Sequence, residues 1–237
     1  YVDAFSQVST PAGQRYPKVN EAINERVDKG ALILSYAGHG GETGWGQERY
    51  LDMPDIESWA NKDRLPVFLT ATCEFARFDD PHRVSAGEHI FLNENGGGIA
   101  LFTTSRATYA GSNFVMSKHF YNNALNHPDK EYLRMGDILK NTKRSSGSGF
   151  NVMKFVLLGD PALKLNIPKN YVNITKINQK DIGTENDTLK ALSYMHIQGQ
   201  ISNSAGEKIN DFNGQVYTLV FDQITEITTL AHDPGSQ

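Results

Sequence analysis

Cysteine is almost missing from this sequence: of 237 residues, only Cys73 carries a thiol. A lone thiol excludes an internal disulfide framework and a cysteine-based zinc site, and it leaves one reactive group to explain. Long apolar runs are missing too, since none approaches the roughly 20 residues that span a bilayer. The opening YVDAFSQ lacks the basic start and apolar stretch of a secretory signal. Charge of one sign is not in excess either. Lys plus Arg total 23 against 27 Asp plus Glu, a net of −4, which gives neither a basic footprint for nucleic acid nor a polybasic membrane patch. No nucleic-acid partner is expected. Because the chain opens on Tyr1 rather than Met and stops in polar AHDPGSQ, it reads as part of a longer or processed polypeptide, with any export signal upstream.

What is present is 39% hydrophobic and 10% aromatic residues, enough for one sizeable core and part of a second. Three short continuous apolar runs, 31–37 (ALILSYA), 65–72 (LPVFLTAT) and 98–105 (GIALFTTS), have the pattern of strands covered on both faces. Between and after them lie helix-like stretches at 17–29, 85–95 with Ser85 and Glu88 spaced as a capping box, 112–125 and 135–144. The alternation predicts an α/β fold with a mostly parallel sheet flanked by helices. A Ser/Gly stretch (145–149) precedes the run VMKFVLL (152–158) and the turn Gly159-Asp160-Pro161. After Pro168 the pattern changes to short alternating runs at 171–177, 194–201 and 215–221, separated by Asn, Gly and Asp. The expected division is therefore an α/β domain over 1–167 and the start of an all-β domain over 168–237.

The chemistry gathers at the ends of two predicted strands. His39 follows the first, in SYA-Gly38-His39-Gly40-Gly41, and Cys73 follows the second, in TAT-Cys73-Glu74. In parallel α/β sheets the ligand crevice lies outside the carboxyl ends of the strands. A histidine there can accept or donate a proton near neutral pH, and an adjacent imidazole converts a thiol to its nucleophilic thiolate. The backbone amides of Gly40 and Cys73 are placed to hold an oxyanion. Taken alone, a single cysteine also fits a buried small hydrophobe, and a histidine between glycines also fits a tight turn. It is the joint position, histidine strand first, that favours a dyad. Asp79 and Asp80 with Glu42 or Glu48 offer oxygen ligands for calcium, but a solvated loop is the favoured reading; otherwise no metal or cofactor is expected. The other histidines, His82, His89, His119, His127, His196 and His232, show no ligand spacing and read as surface residues.

The stretches SYAGHGGETGW (35–45), LPVFLTATCEFARFDDP (65–81), GGGIALFTTSRATYAGSN (96–113) and FVLLGDPALKL (155–165) resemble the catalytic region of gingipain-type cysteine peptidases. The resemblance implies a caspase-like fold over roughly 31–167, followed by an immunoglobulin-like β-sandwich that begins here. It implies His39 as general base and acid, Cys73 as nucleophile, and the amides of Gly40 and Cys73 as oxyanion hole. Ala37, Glu74, Ser105, Arg106, Tyr109 and Trp45 are the expected substrate-pocket residues. The family's acidic partner of the histidine falls upstream of this sequence, with Asp3 the one early carboxylate, and the pocket loop 105–109 does not reproduce an acidic pocket for Arg or Lys. Within the family, the resemblance points to enzymes that cleave C-terminal secretion signals from exported polypeptides through a thioester and act as sortases. That implies type IX secretion components as partners and an outer-membrane or cell-surface location. The alternative is a catalytically silent caspase-like scaffold or binding module of a secretion complex.

Overall fold

The apolar runs fold as strands because alternate side chains on each find a covered face. The computed structural model describes residues 2–126, 132–183, 192–214 and 226. Two units divide between Asn166 and Ile167: Tyr1–Asn166 with Glu226–Gln237, and Ile167–Thr225.

The first unit opens with a 3-10 turn (Val2–Ala4) and a hairpin of β1 (Val8–Thr10) and β2 (Gly13–Arg15). Helix α1 (Pro17–Lys29) starts on a proline, whose missing N–H is no loss at a helix start, and ends at Gly30, whose φ of 88° suits glycine. It leads into β3 (Ile33–Ala37). Three two-residue strands follow, β4 (Gly40–Gly41), β5 (Gly44–Trp45) and β6 (Leu51–Asp52), forming a small antiparallel sheet. Then come α2 (Met53–Ser58), β7 (Val67–Ala71), α3 (Ala86–Leu92), β8 (Ala100–Thr104), α4 (Ala110–Leu125), α5 (Met135–Ser145), the single turn α6 (Phe150–Met153) and β9 (Phe155–Leu158). The capping box at α3 is formed: the Ser85 N–H and Oγ both donate to Glu88 Oε2, at 2.8 and 2.7 Å.

The main sheet runs β3-β7-β8-β9, with β3, β7 and β8 parallel and β9 antiparallel to β8. This is the expected α/β architecture, with one antiparallel edge. Every residue of β7 and β8 is buried. Leu101 joins Phe68, Trp59, Trp45, Phe75 and Ile90 of α3 in one cluster. Its neighbour Phe102 faces the other way and packs on Phe120 of α4, with centroids at 5.0 Å, and on Phe155 at 5.5 Å. Successive strand residues thus serve opposite helical layers.

In the second unit, β10 (Tyr171–Ile177), β11 (Lys180–Asp181) and β12 (Ile197–Ser202) make one antiparallel sheet in the order β11-β10-β12. Among the described residues this is a single sheet, not the second face that a sandwich requires. The expected strand at 215–221 lies outside the described residues.

Candidate active site

Register brings the two chemical residues together. Strands β3 and β7 pair in parallel with Ala37 opposite Ala71, and each chain runs two residues further to His39 and Cys73. Neighbouring strands lie about 4.8 Å apart, so equal overhangs deliver both side chains to one edge of the sheet. Both line a cleft of about 290 Å³, together with Ala37, Gly38, Thr108 and Asn113. His39 is exposed and Cys73 half-buried.

The His39 loop is fixed from below. The Tyr36 ring stacks on Trp45, with centroids 4.5 Å apart and 5° between planes, and its hydroxyl donates to the His39 carbonyl at 2.6 Å. Burial, then the nearby Tyr50 and Glu48, push the Tyr36 pKa well up, so that proton stays in place across the physiological range. The Gly46 N–H donates to the same carbonyl at 2.8 Å. Gly40 allows the loop to settle on β7: a Cβ there would lie 2.5 Å from Thr72 Oγ1 and 2.9 Å from the Gly44 carbonyl. Among the described residues, no carboxylate hydrogen-bonds the His39 ring, and the side chain of Asp3 is outside them.

Polar contacts hold the Cys73 loop. The Thr72 carbonyl accepts from Thr104 Oγ1 and from Thr108 Oγ1, the latter at 3.2 Å. Asn113 Nδ2 donates to the Ala71 carbonyl at 3.1 Å and to Thr108 Oγ1 at 3.0 Å. Asn151 Nδ2 reaches Asn113 Oδ1 at 3.3 Å, while Asn151 Oδ1 accepts from the Tyr109 N–H at 3.0 Å. Cys73 Sγ accepts from the Thr108 N–H at 3.4 Å and donates to the Thr108 carbonyl at 3.7 Å. Glu74 sits at a φ of 50°, marking a sharp turn directly after the thiol.

One charged cluster joins the two loops. Glu42 accepts from Arg77 at 2.8 Å and Arg83 at 3.0 Å, and Arg77 also stands 3.8 Å from Glu74.

Several expected pocket residues are placed elsewhere. Ala37 lines the cleft, but Trp45 is 1% exposed and belongs to the core, because the β4–β6 sheet turns its ring under the loop. Arg106 is drawn away by Asp79, with bonds of 2.9 and 2.5 Å. Ser105 donates from N–H and Oγ to the Lys154 carbonyl, at 2.9 and 3.3 Å. Tyr109 is exposed under Lys154 Nζ, which stands 5.2 Å from the ring centroid. Glu74 lies beside the cleft with Arg77. Thr108, Asn113, Phe114 and Ser117, which the sequence reading missed, form the actual far wall. Asn113 and Ser117 are four apart, hence on one helical face, and that polar pair on an otherwise apolar face was the available signal.

Of the candidate calcium ligands, Asp79 is engaged by Arg106, Glu42 by Arg77 and Arg83, and Asp80 stands 3.8 Å from Arg83. No group of three His, Cys, Asp or Glu side chains suited to a metal occurs among the described residues. Among those residues, too, no helix is long and apolar enough to cross a membrane. His127 and His232 lie outside them.

A parallel sheet carrying histidine and cysteine at paired strand ends defines a caspase-like fold. Residues 1–166 match the model of peptidase family C25, and the chain belongs to that family. It is similar to the crystal structure of the Arg-specific cysteine proteinase gingipain R (RgpB), with 18% identity and a TM-score of 0.55 over 65% of this chain and 39% of that one. The complex of the Porphyromonas gingivalis RgpB pro- and mature domains gives 18% identity and a TM-score of 0.55, covering 65% of this chain and 40% of the other. A third structure, described as a protease, has 17% identity and a TM-score of 0.52, with 64% and 45% covered. The chain therefore spans less than half the length of these solved structures. No curated protein matches it significantly.

Proposed function

We propose that this chain is the catalytic core of a cysteine endopeptidase acting on polypeptides through a Cys73–His39 dyad. The observation that carries this reading is the equal two-residue overhang that puts both side chains on one cleft. His39 takes the Sγ proton, and the thiolate attacks the scissile carbonyl carbon. The N–H groups of Gly40 and Cys73 receive the developing oxyanion. The imidazolium then gives its proton to the departing amine, leaving a thioester on Cys73. His39 next deprotonates the incoming water or amine, which displaces the thiol.

The finer part of the proposal is a sortase role resembling that of PorU: removal of C-terminal secretion signals from exported proteins in type IX secretion, at the outer membrane or cell surface, with transfer of the new carboxyl end to an amine. Its support is the similarity of the strand-end sequences and a cleft without an acid for Arg or Lys.

The test is iodoacetamide labelling of Cys73 across pH, in the parent and in His39→Ala, with the adduct located by mass spectrometry. Rapid labelling well below the ordinary thiol pKa of about 8.5, lost in the variant, is the expected result. An ordinary thiol profile in both proteins overturns the dyad and leaves a silent scaffold. Incubating the protein with a substrate bearing a C-terminal secretion domain and a glycine amide then separates transfer from hydrolysis by product mass; no cleavage by an activated thiol removes the sortase role.

A further inference from the structure

We infer that Tyr36 is a positioning residue for the oxyanion site: its hydroxyl aims the Gly40 N–H at the carbonyl oxygen that becomes charged when Cys73 attacks. This rests on the peptidase reading above and adds a residue to its machinery.

One peptide unit makes the connection. The His39 carbonyl and the Gly40 N–H belong to the same planar, trans peptide, so they point in opposite directions and turn together. The carbonyl end is held twice, by the Tyr36 hydroxyl at 2.6 Å and by the Gly46 N–H at 2.8 Å. Since the bond from Gly46 turns the His39 carbonyl toward the β5 side, alternation along the antiparallel pair turns the Gly40 N–H away from β5. Strand β4 is the edge of its small sheet, and that N–H is therefore left for a ligand. Donation into the carbonyl also polarises the peptide and strengthens its N–H as a donor.

The hydroxyl reaches the carbonyl because the ring cannot wander. Tyr36 lies two residues after Leu34, hence on the same face of β3, and packs with it against the core cluster. Its plane lies flat on Trp45. Gly38 gives the hydroxyl room: a Cβ there would lie 2.7 Å from the Tyr36 hydroxyl oxygen and 3.0 Å from Cζ, so a larger residue displaces the donor. Thr72 closes the other side, against Gly40, which leaves the peptide little room to swing. Tyr36 does not line the cleft of Cys73. It acts through the backbone and does not touch the substrate.

The experiment compares the parent with Tyr36→Phe, which keeps the ring and its stack and removes only the hydroxyl. Two reactions of Cys73 are followed: alkylation by iodoacetamide, which forms no tetrahedral oxyanion, and acylation by p-nitrophenyl acetate, in which the thiolate attacks the ester carbonyl and p-nitrophenolate leaves. Losing an oxyanion donor outright costs about 10²–10³ in rate, and Gly46 still holds the carbonyl in the variant, so the maximal acylation rate is expected to fall about tenfold. The half-saturating ester concentration and the iodoacetamide pH profile are expected to stay as in the parent. The Gly40 amide resonance is expected to shift while other resonances of the main sheet hold, which separates reorientation of this peptide from unfolding. Equal losses in both reactions, an unchanged acylation rate, or an unmoved Gly40 resonance overturn the inference. A sluggish thiol in the parent itself sinks the peptidase reading, and the oxyanion role falls with it.

Discussion

The loop after β3 and the loop after β7 reach the same cleft, yet different forces hold them. The His39 loop stands mainly on rings, beside the two hydrogen bonds to the His39 carbonyl: Trp45 beneath Tyr36, with Phe75 5.7 Å and Phe68 6.3 Å from the Trp45 centroid. The Cys73 loop stands on hydroxyls and amides, from Thr70 donating to Thr103 at 2.6 Å through Thr104, Thr108 and Asn113. Aromatic packing sets a position by filling volume and tolerates small rotations. A satisfied polar network sets a direction, because each bond fails steeply with angle. A proton shuttle can serve from a range of orientations, while a nucleophile must approach one carbonyl carbon along one line, and the two supports match those needs.

The largest expected effect comes from breaking the aromatic support. Trp45→Ala empties a fully buried site and is expected to cost about 3–5 kcal/mol in urea unfolding, with the His39 ring resonances shifted by NMR. Less than 1 kcal/mol would show that the stack does not carry the loop. Asn113→Ala comes next, at about 1–3 kcal/mol, since it leaves the Ala71 carbonyl and Asn151 amide unpaired. Here the reactivity of Cys73 should change while the His39 resonances stay, and a shift of both would erase the distinction between the loops. Glu42→Gln is expected to lower stability by roughly 1 kcal/mol, as Glu42 is mostly covered but its partner Arg83 is largely solvated and Arg77 partly so. Adding salt should shrink that difference; a salt-independent loss would mean the contact acts through packing.

The smallest effect sharpens the electrostatics of the His39 side. Burial, then Asp55, push the Asp52 pKa up. The folded state thus holds that proton more tightly than the unfolded chain, and ionised Asp52 lowers stability once pH exceeds the folded pKa. Asp52→Asn, which keeps an N-cap residue for α2, should be slightly more stable than the parent at pH 7. The gap should close as pH falls through the raised pKa toward the unfolded value near 3.9. A gap of equal size at pH 4 and pH 7 would contradict the shift.

Most of the main sheet was legible in the sequence. Runs such as VFLTA and ALFTT are apolar on both faces because helices cover both, and Pro17 and Gly30 punctuate α1 where it starts and stops. The β4–β6 sheet was not, because two-residue strands have no period to detect. That omission explains the misplacement of Trp45: proximity to Gly40 in sequence suggested the cleft, whereas the hairpin between them turns the ring inward. The pocket wall was missed for a related reason. Loop 105–109 looked like the wall, but Arg106 and Ser105 are pulled off by partners 27 and 49 residues distant, and long-range pairing of that kind leaves no local pattern.

Because Ala37 pairs with Ala71 and each reactive residue follows by two, alignment at the cleft is a matter of counting. The segments joining β3 to β7 and β7 to β8 are free to gain or lose residues at their far bends, since neither count passes through them. A single residue inserted between Ala37 and His39, or between Ala71 and Cys73, turns one side chain away from the other. An insertion scan along the segments that follow β3 and β7 should therefore show intolerance at the dipeptides Gly38-His39 and Thr72-Cys73 and tolerance at exposed bends outside the β4–β6 sheet, such as 62–64 and 94–95.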